Sequence, residues 1–345
     1  MAESNGKRIL VGIGLNPFFR TSDTGHSPLT EETWSLLRAA KALAVRSAAS
    51  LHVVHVLEEN TLGLSTLLPW LPTINWRSVQ PESMVHLARK EAATSCQNQL
   101  AAITQSLKAD GLQITSKVVT AKYASTGILA EAIAVNGSMI MVSSGFRAEH
   151  YFSRGFSTPL AIMAEALVPV LVVGSDCKID FSRERLRLLM ADDLRDESKE
   201  SMASALEWAK SLGKADVFHL HVEELTGDQL HKLLTETAHR LKSSADPVEL
   251  SSELLKALET ALQEKMQQRV KGRTEQLLSA GGTFQSAMRR CPFIKDEIER
   301  AADEFGADLL VFGRHQKVHQ RPYQVGKVTF QAMLSPDRGV LVFPR

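Results

Sequence analysis

Short apolar runs alternate with amphipathic stretches along most of the chain. Apolar runs too short for a helix are typical of strands buried on both faces of a parallel sheet, whereas the stretches between them repeat leucine and alanine at helical spacing. The pattern predicts strands at 9–13, 51–57, 113–120, 138–142, 169–173, 185–191, 215–222, 283–288, 309–312 and 339–343. It predicts helices at 30–47, 82–109, 125–135, 160–167, 196–212 and 293–305.

The order of strand, glycine-marked loop, helix and strand occurs twice. It runs over residues 138–173 and again over residues 307–345. Self-similarity of this kind indicates two copies of one structural unit. Because strands alternate with helices in both halves, the sequence predicts an α/β fold with two doubly wound parallel-sheet domains, flavodoxin-like or Rossmann-like, in tandem. We place the first domain at residues 1–178 and the second at 184–345.

Two segments do not fit the repeat. Residues 58–81 are rich in Leu, Pro and Trp, and we interpret them as a lid or packing insertion because proline breaks any single helix there. Residues from about 224 to 281 are rich in Lys, Glu, Gln and Leu, and they predict a helix at 228–242 and a long one after Pro247. We expect these helices to project from the second domain and to offer a face to a protein partner. For the C-terminal half of the segment, a helix that merely covers the sheet is the alternative.

Composition narrows the class of protein. A chain of 345 residues is long enough for two ordinary α/β domains. The net charge of +1 and the lack of a basic block interleaved with aromatic residues predict no nucleic-acid partner. The three cysteines are widely spaced with no CxxC, so neither a disulfide framework nor a zinc site is predicted.

The N-terminus has no signal-peptide pattern, and no apolar run approaches the roughly 18 residues that a membrane span needs. We therefore expect a cytoplasmic protein with no membrane partner.

Parallel sheets of this class bind ligands beyond the carboxyl ends of their strands, where the winding direction reverses. Glycine-containing loops follow the predicted strands that end at Val142 and Phe312. A glycine there lets the backbone approach a phosphate, and the N–H groups that open the next helix are donors for an anion. An ordinary turn is the alternative interpretation of each loop.

Several lines of the sequence resemble the universal stress protein (UspA-like) family. They are SMIMVSSG and LVPVLVV in the first half, and ADEFGADLLVFGRHQ and GVLVF in the second. The resemblance covers most of both halves, apart from the two inserted segments. It implies two adenine nucleotide alpha hydrolase-like domains in tandem. In ATP-binding members of the family it also implies the motif G-x2-G-x9-G-[ST] after the fourth strand and an Asp at the end of the first.

The first half keeps only part of that motif. Gly145 and Gly155 stand at the second and third glycine positions, Val142 replaces the first glycine, and Ser157 falls one step beyond the Ser/Thr position. Gly14 replaces the Asp of the first strand. Because the family's adenosine anchor is missing, ordinary ATP binding is not expected in this half.

The second half keeps more of the motif. Its candidate ligand-binding residues are Asp192, Gly313, His315, Gly326 and Lys327. Asp192 matches the strand-one Asp, with Asp193 as the alternative if the register differs by one, and Gln316 replaces the second glycine. Lys327 cannot replace a hydroxyl group, but its ammonium could hold a phosphate as a point charge. The alternative is a solvated cationic loop with no ligand.

No catalytic centre or metal site is predicted. His52 and His55, like His219 and His221, lie within strands without carboxylates or thiolates at a matching spacing, so we interpret all four as packing residues. The sequence contains no nucleophile elbow, no Walker lysine motif and no paired carboxylates in a glycine-lined loop.

Two main hypotheses of function follow. The first is a non-catalytic stress-response or regulatory module, with ligand binding reduced or altered, whose two domains form an intramolecular pseudo-dimer through their last strands at 169–173 and 339–343. The second is a protein that binds ATP or another adenine nucleotide in its second half, with at most slow ATPase activity. A third, an adenylyl-transferring enzyme, would need a phosphate-contacting His or Lys motif near the first strand, and GIGLNPFF lacks one.

Overall fold

The computed structural model describes residues 6–15, 29–59, 81–108, 111–144, 158–174, 176–177, 179–224, 247–271, 273–314, 327–332 and 337–344. The chain divides into two compact units: the first holds the described residues up to Ser182 together with 337–339, and the second holds the other described residues from Arg183 onward. The helix predicted at 228–242 and nearly all of the Pro/Trp-rich segment lie outside the described residues.

The first unit is a parallel sheet with its strands joined by helices. Its strands are β1 (Arg8–Ile13), β2 (Ser50–Glu58), β3 (Ile114–Ala121), β4 (Met139–Ser143) and β5 (Val170–Val173). Its helices are α1 (Glu31–Arg46), α2 (Pro81–Leu107), α3 (Ala124–Ala134) and α4 (Thr158–Glu165). The strand order is β3-β2-β1-β4-β5, and each pair of neighbours is parallel. This is the doubly wound arrangement that the sequence predicts.

The second unit repeats that order. Its strands are β6 (Leu186–Ala191), β7 (Ala215–Glu223), β8 (Thr283–Arg290), β9 (Leu309–Gly313) and β10 (Gly339–Phe343). Its helices are α5 (Lys199–Ser211), α6 (Pro247–Val270), α7 (Thr274–Ser279), α8 (Ile294–Phe305) and α9 (Lys327–Ala332). The strand order is β8-β7-β6-β9-β10, and the pairs β8/β7, β7/β6 and β6/β9 are parallel.

Helix α1 begins and ends where local signals direct it. The side chain of Thr30 caps its N-terminus by accepting a hydrogen bond from the Thr33 amide at 3.2 Å. Glu31 and Glu32 lie in its first turn and Arg46 in its last, each where the helix dipole favours that charge. One face of this helix is buried, as the apolar spacing predicts, at Leu36, Leu37, Ala40, Leu43 and Ala44.

The strands supply the core of each unit. All five residues of β10 and all four of β5 are buried, and β1 and β6 are buried along most of their length. Continuous burial of this kind explains why these strands have no polar alternation in the sequence. Among the described residues, no helix is long and apolar enough to cross a membrane.

The described part of the helical insertion touches the second unit mainly at its C-terminal end. In α6, Lys256, Thr260 and Lys265 are exposed, whereas Met266 and Val270 in the last turns are buried. The following helix, α7, buries Leu277. The described side chains of α6 between Lys256 and Lys265 are therefore mostly exposed, and the last turns of the helix pack against the unit.

Candidate functional site

The structure brings Asp192 and Gly313 together at the carboxyl ends of neighbouring strands. Strands β6 and β9 pair in parallel with Ala191 opposite Phe312, so the next residue of each strand lies at the same edge of the sheet. Strand β6 has β7, the next strand in the chain, on one side and β9 on the other. The winding direction of the sheet therefore reverses at β6. Open sheets of this class bind their ligands at such a point.

The carboxylate of Asp192 is buried and has polar partners at both of its oxygens. Its Oδ1 accepts hydrogen bonds from the Leu194 amide at 2.9 Å and from Ser198 Oγ at 3.1 Å. Its Oδ2 lies 3.2 Å from His219 Nε2 and 3.6 Å from Arg269 Nε. The side chain has no exposed surface. Both oxygens of this carboxylate therefore have polar partners from the same chain.

These partners also govern the ionisation of the carboxylate. Burial alone would raise the pKa of Asp192, because it disfavours the charged form. The hydrogen bond and the charge of His219, with the charge of Arg269, act in the opposite direction and prevail, so the pKa of Asp192 lies below its ordinary value. Asp192 is therefore an internal anion of the second unit.

Both histidines of β7 serve this cluster. His219 reaches Asp192 through Nε2, and its Nδ1 lies 3.4 Å from Ser286 Oγ on β8. His221 places Nδ1 2.8 Å from the Asp192 carbonyl oxygen and Nε2 3.1 Å from a carboxylate oxygen of Glu223. Both side chains are buried. Each therefore contacts a carboxylate, which the sequence analysis did not predict. The described residues contain no group of three or more His, Cys, Asp and Glu that could hold a metal ion.

Arg269 is the residue of this cluster that sequence reasoning missed. It lies in the penultimate position of α6, within the helical insertion, and only 4% of its side chain is exposed. Its Nη2 donates a hydrogen bond to the Arg195 carbonyl oxygen, whereas its buried Nη1 has no hydrogen-bond partner. In a segment rich in Lys, Glu and Gln this residue resembles a surface charge. The available signal was its position between Met266 and Val270, at the spacing of a buried helix face.

Repeated contacts fix the correspondence between the two units. The Ser144 amide donates to the Val173 carbonyl in the first unit, and the Arg314 amide donates to the Phe343 carbonyl in the second. His55 Nδ1 lies 3.1 Å from the Ile13 carbonyl oxygen, as His221 Nδ1 lies 2.8 Å from that of Asp192.

This correspondence changes two of the motif positions that the sequence analysis assigns. Gly12 lies opposite Val142 and Ala191 lies opposite Phe312, so Asp192 corresponds to Ile13. The equivalent of Gly14 is therefore Asp193, the alternative that a shift of one residue allows, and the equivalent of Gly313 is Ser143 instead of Val142. The sequence alignment missed both because no local signal fixes the register of two distant repeats to a single residue.

Asp193 is more accessible than Asp192 but is also hydrogen-bonded. Its Oδ1 accepts from the Arg195 amide at 3.1 Å and lies 2.8 Å from Ser198 Oγ, whose single hydroxyl hydrogen it shares with Asp192. Its Oδ2 lies 3.4 Å from Arg195 Nε. Its side chain is 32% exposed. Asp193 thus combines an internal role in the turn after β6 with a surface that a ligand could reach.

Gly313 has a packing role where it lies. A Cβ added to it would come within 3.0 Å of Ser201 Cβ and 3.6 Å of Ser198 Cβ, at the start of α5. A glycine at this position lets the end of β9 lie close against that helix. The close approach that Gly313 allows is therefore between β9 and α5 of the same unit.

The first unit has a glycine at the equivalent position. Gly14 is exposed, and a Cβ added to it would have no atom within 4 Å. Ser144, the residue after β4, donates a hydrogen bond to Glu32 Oε1 at 3.3 Å. Gly14 therefore supplies no acid at the position that Asp193 holds in the second unit.

The remaining candidate residues lie beyond what the structure describes. They are Gly145, Gly155, Ser157, His315 and Gly326. Lys327 is the first residue of α9, and its side chain lies outside the described part. The two glycine-containing loops therefore remain predictions from the sequence.

Two cysteines are buried and unreactive. Burial raises the pKa of Cys96 and of Cys177 to about 11 in each case. At neutral pH both are protonated thiols, which are poor nucleophiles.

Comparisons with known proteins agree with this architecture. The sequence model of the universal stress protein family matches residues 29–174. No curated protein matches the sequence.

Solved structures resemble both halves of the chain. A universal stress protein from Archaeoglobus fulgidus DSM 4304 is 14% identical, and the match covers 98% of this chain and 96% of that one with a TM-score of 0.58. A functionally unknown protein from Pseudomonas aeruginosa PAO1 is 15% identical, covering 99% of this chain and 93% of that one with a TM-score of 0.56. At these identities the two structures establish the fold of the chain.

Proposed function

Since residues 29–174 belong to the universal stress protein family and the second half repeats the same strand order, we propose that the protein is a tandem stress-response module that acts by regulation and not by catalysis. In this proposal the nucleotide site of the second half is altered and binds ATP weakly or not at all. The protein would then act through its surfaces instead of through turnover of a substrate.

One observation carries the proposal. The carboxylate of Asp192, at the end of β6, accepts its hydrogen bonds and its counter-charge from Leu194, Ser198, His219 and Arg269 of the same chain. A ligand hydroxyl could bind this carboxylate only by displacing one of those donors. Such a displacement would leave a buried donor unsatisfied, which is costly.

The neighbouring residues support the same conclusion. Gly313 allows close packing against Ser201. In the first half, Gly14 stands where an acid would be needed. The first unit therefore has no acid at this position, whereas in the second unit Asp192 is committed to internal contacts and Asp193 keeps a carboxylate that is 32% exposed.

The alternative function is ATP or adenine nucleotide binding with at most slow ATPase activity in the second half. The accessible surface of Asp193 favours it, because this residue corresponds to Gly14 and lies at the point where the winding reverses. In that case Asp193 would accept hydrogen bonds from a ribose, and the loop with Gly326 and Lys327 would hold phosphates.

Titration of the purified protein with ATP and with a fluorescent ATP analogue separates the two functions. The regulatory module predicts no saturable binding with a Kd below about 1 mM, a free energy weaker than about −4 kcal/mol. Binding in the micromolar range, accompanied by release of phosphate, would instead establish the nucleotide-binding function. Asp193→Ala should then weaken binding, while Glu32→Ala in the first half should not.

We also propose, from the apolar sequences of β5 and β10, that the two domains pair through these last strands as a pseudo-dimer. Cysteine pairs introduced along β5 and β10 should form disulfides within one chain if the proposal holds. Cross-linking only between separate chains would contradict it. Partner binding by the helical insertion is a further proposal, which capture experiments with residues 224–281 present or deleted would test.

A further inference from the structure

A serine and a histidine on neighbouring strands form a series of hydrogen bonds with the acid that follows β6. Ser286 on β8 lies directly opposite His219 on β7, with 3.4 Å between Ser286 Oγ and His219 Nδ1. On the other side of the ring, His219 Nε2 lies 3.2 Å from Asp192 Oδ2. A hydroxyl within reach of an imidazole that a third group orients is the arrangement that activates a serine as a nucleophile.

The ionised carboxylate of Asp192 fixes the direction of these hydrogen bonds. A carboxylate only accepts hydrogen bonds, so His219 Nε2 carries the proton that points to Asp192. In the neutral imidazole Nδ1 is then an acceptor, and the hydroxyl of Ser286 donates to it. His219 can therefore take the proton of Ser286 when the serine oxygen forms a new bond.

The hydroxyl and its base differ in exposure. The side chain of His219 is 1% exposed and that of Asp192 is 0% exposed, whereas Ser286 is an exposed residue. Strand β8 ends the strand order, so no strand of the described part lies beyond it. Phe284 lies beside the imidazole, with 6.2 Å between the ring centroids. A reagent from solvent can thus reach Ser286 Oγ while the base stays inside the unit.

The first unit carries an equivalent serine without the base. Ser116 on β3 is exposed, and it lies opposite Val53 of β2 as Ser286 lies opposite His219. The side chain of Val53 has no group that accepts a proton. Ser116 is therefore a matched reference within the same protein, because it shares the strand position and the exposure of Ser286 but lacks the imidazole.

From this geometry we infer that Ser286 is a modification site, which accepts an acyl group from an activated acyl donor such as an acyl phosphate or an aryl ester. Ser286 Oγ bonds to the acyl carbon, its proton passes to His219 Nδ1, and the bond between the acyl carbon and the leaving group breaks. The leaving group departs as an anion with the electron pair of that bond, and His219 then passes the proton to solvent. The product is an ester on Ser286, whose oxygen no longer donates to His219.

Such a transfer goes beyond the regulatory function proposed above, and it needs no nucleotide. One acyl group per chain would give the module a covalent input without turnover of a substrate. No local sequence motif marks the site, because its three residues come from β8, β7 and the turn after β6.

The test treats the purified full chain with p-nitrophenyl acetate and locates the acetyl groups by tandem mass spectrometry. Alkaline hydroxylamine removes acetyl esters of hydroxyl groups and leaves acetyl amides of lysines in place, which distinguishes the two products. In wild type we expect Ser286 to be acetylated faster than Ser116 by about tenfold or more, because a general base accelerates such a step. Both serines lie in one molecule, so this comparison does not depend on the folding of a variant.

Two substitutions and one spectrum assign the roles. Ser286→Ala should remove this acetylation, and His219→Gln should lower the rate at Ser286 to the rate at Ser116, with circular dichroism as the check on folding. Asp192 acts through His219 and is a positioning residue, which nitrogen NMR of the histidine rings tests. In wild type, the ring of His219, assigned through its backbone resonances, should carry its proton on Nε2 and not on Nδ1.

Three results would overturn the inference. The first is equal acetylation of Ser286 and Ser116 in wild type. The second is a proton on Nδ1 of His219, since that nitrogen could not then accept the serine proton. The third is a faster reaction of Ser286 that persists in folded His219→Gln, which would show that exposure and not the imidazole determines the rate.

Discussion

Arg269 and Asp192, one from an inserted helix and one from the first strand of the second unit, form a buried ion pair with 3.6 Å between Nε and Oδ2. The pair joins an insertion to the centre of a sheet. Because neither charge reaches solvent, each depends on the other and on the hydrogen bonds around them.

The first prediction concerns the two adjacent acids. Asp192→Ala should destabilise the second unit by about 3–5 kcal/mol, because it leaves the guanidinium of Arg269 buried without a counter-charge. Asp193→Ala removes a partly exposed acid from the same turn and should cost about 1 kcal/mol. Urea unfolding of both variants measures the difference. Equal effects would mean that Asp192 has no special structural role.

The second prediction concerns Gly313. In Gly313→Ala the new Cβ would meet Ser201 Cβ at 3.0 Å, and the resulting overpacking should cost about 1–3 kcal/mol. Gly14→Ala is the matched control in the first unit, where no atom lies within 4 Å, and it should change stability by less than about 0.5 kcal/mol. If Gly313→Ala is as stable as the control, then a role in ligand binding becomes the better explanation of this glycine.

The elements that could be predicted from the sequence are those whose signals lie within a few residues. The strands were predictable because runs such as those of β4 and β10 are apolar throughout, which reflects burial on both faces. The start of α1 was predictable because Thr30 and the acids after it act within one turn.

The role of Arg269 was not predictable because it depends on a contact with Asp192 across a long insertion. The match of Gly14 with Asp193 likewise needed the strand register, since a shift of one residue leaves the apolar pattern of these runs nearly unchanged. Thus the helices and strands could be predicted from hydrophobic periodicity. The residues that make up the site depend on tertiary contacts and could not.

The third prediction concerns pH. Burial lowers the pKa of His55, and its hydrogen bond to the Ile13 carbonyl offsets this only in part. The folded protein therefore favours neutral His55, while the unfolded chain takes up a proton near pH 6.5. The unfolded state binds more protons below that pH, so the stability that neutral His55 contributes is present above pH 6.5 and is lost as the pH falls below it.

Thermal unfolding between pH 8 and pH 5 measures this effect. The midpoint should fall with pH in wild type, and the fall should be smaller in His55→Gln. His86→Gln is the control, because His86 is exposed on α2. A His55→Gln profile parallel to that of wild type would show that another group causes the pH dependence.

The last prediction concerns the extent of the helical insertion. Deletion of residues 226–263, joined by a short flexible linker, should leave a soluble protein with nearly unchanged stability, because the described residues of α6 before Met266 are mostly exposed. Deletion of residues 226–270 also removes Met266, Arg269 and Val270, which are buried against the second unit. It should therefore destabilise that unit by several kcal/mol, since it combines loss of apolar burial with an unpaired Asp192.

Circular dichroism and urea unfolding of the two deletions, with wild type alongside, distinguish them. Aggregation of the shorter deletion would show that the N-terminal part of the insertion covers the sheet, and equal stability of the two would show that the contacts of the last turns do not hold α6 to the unit.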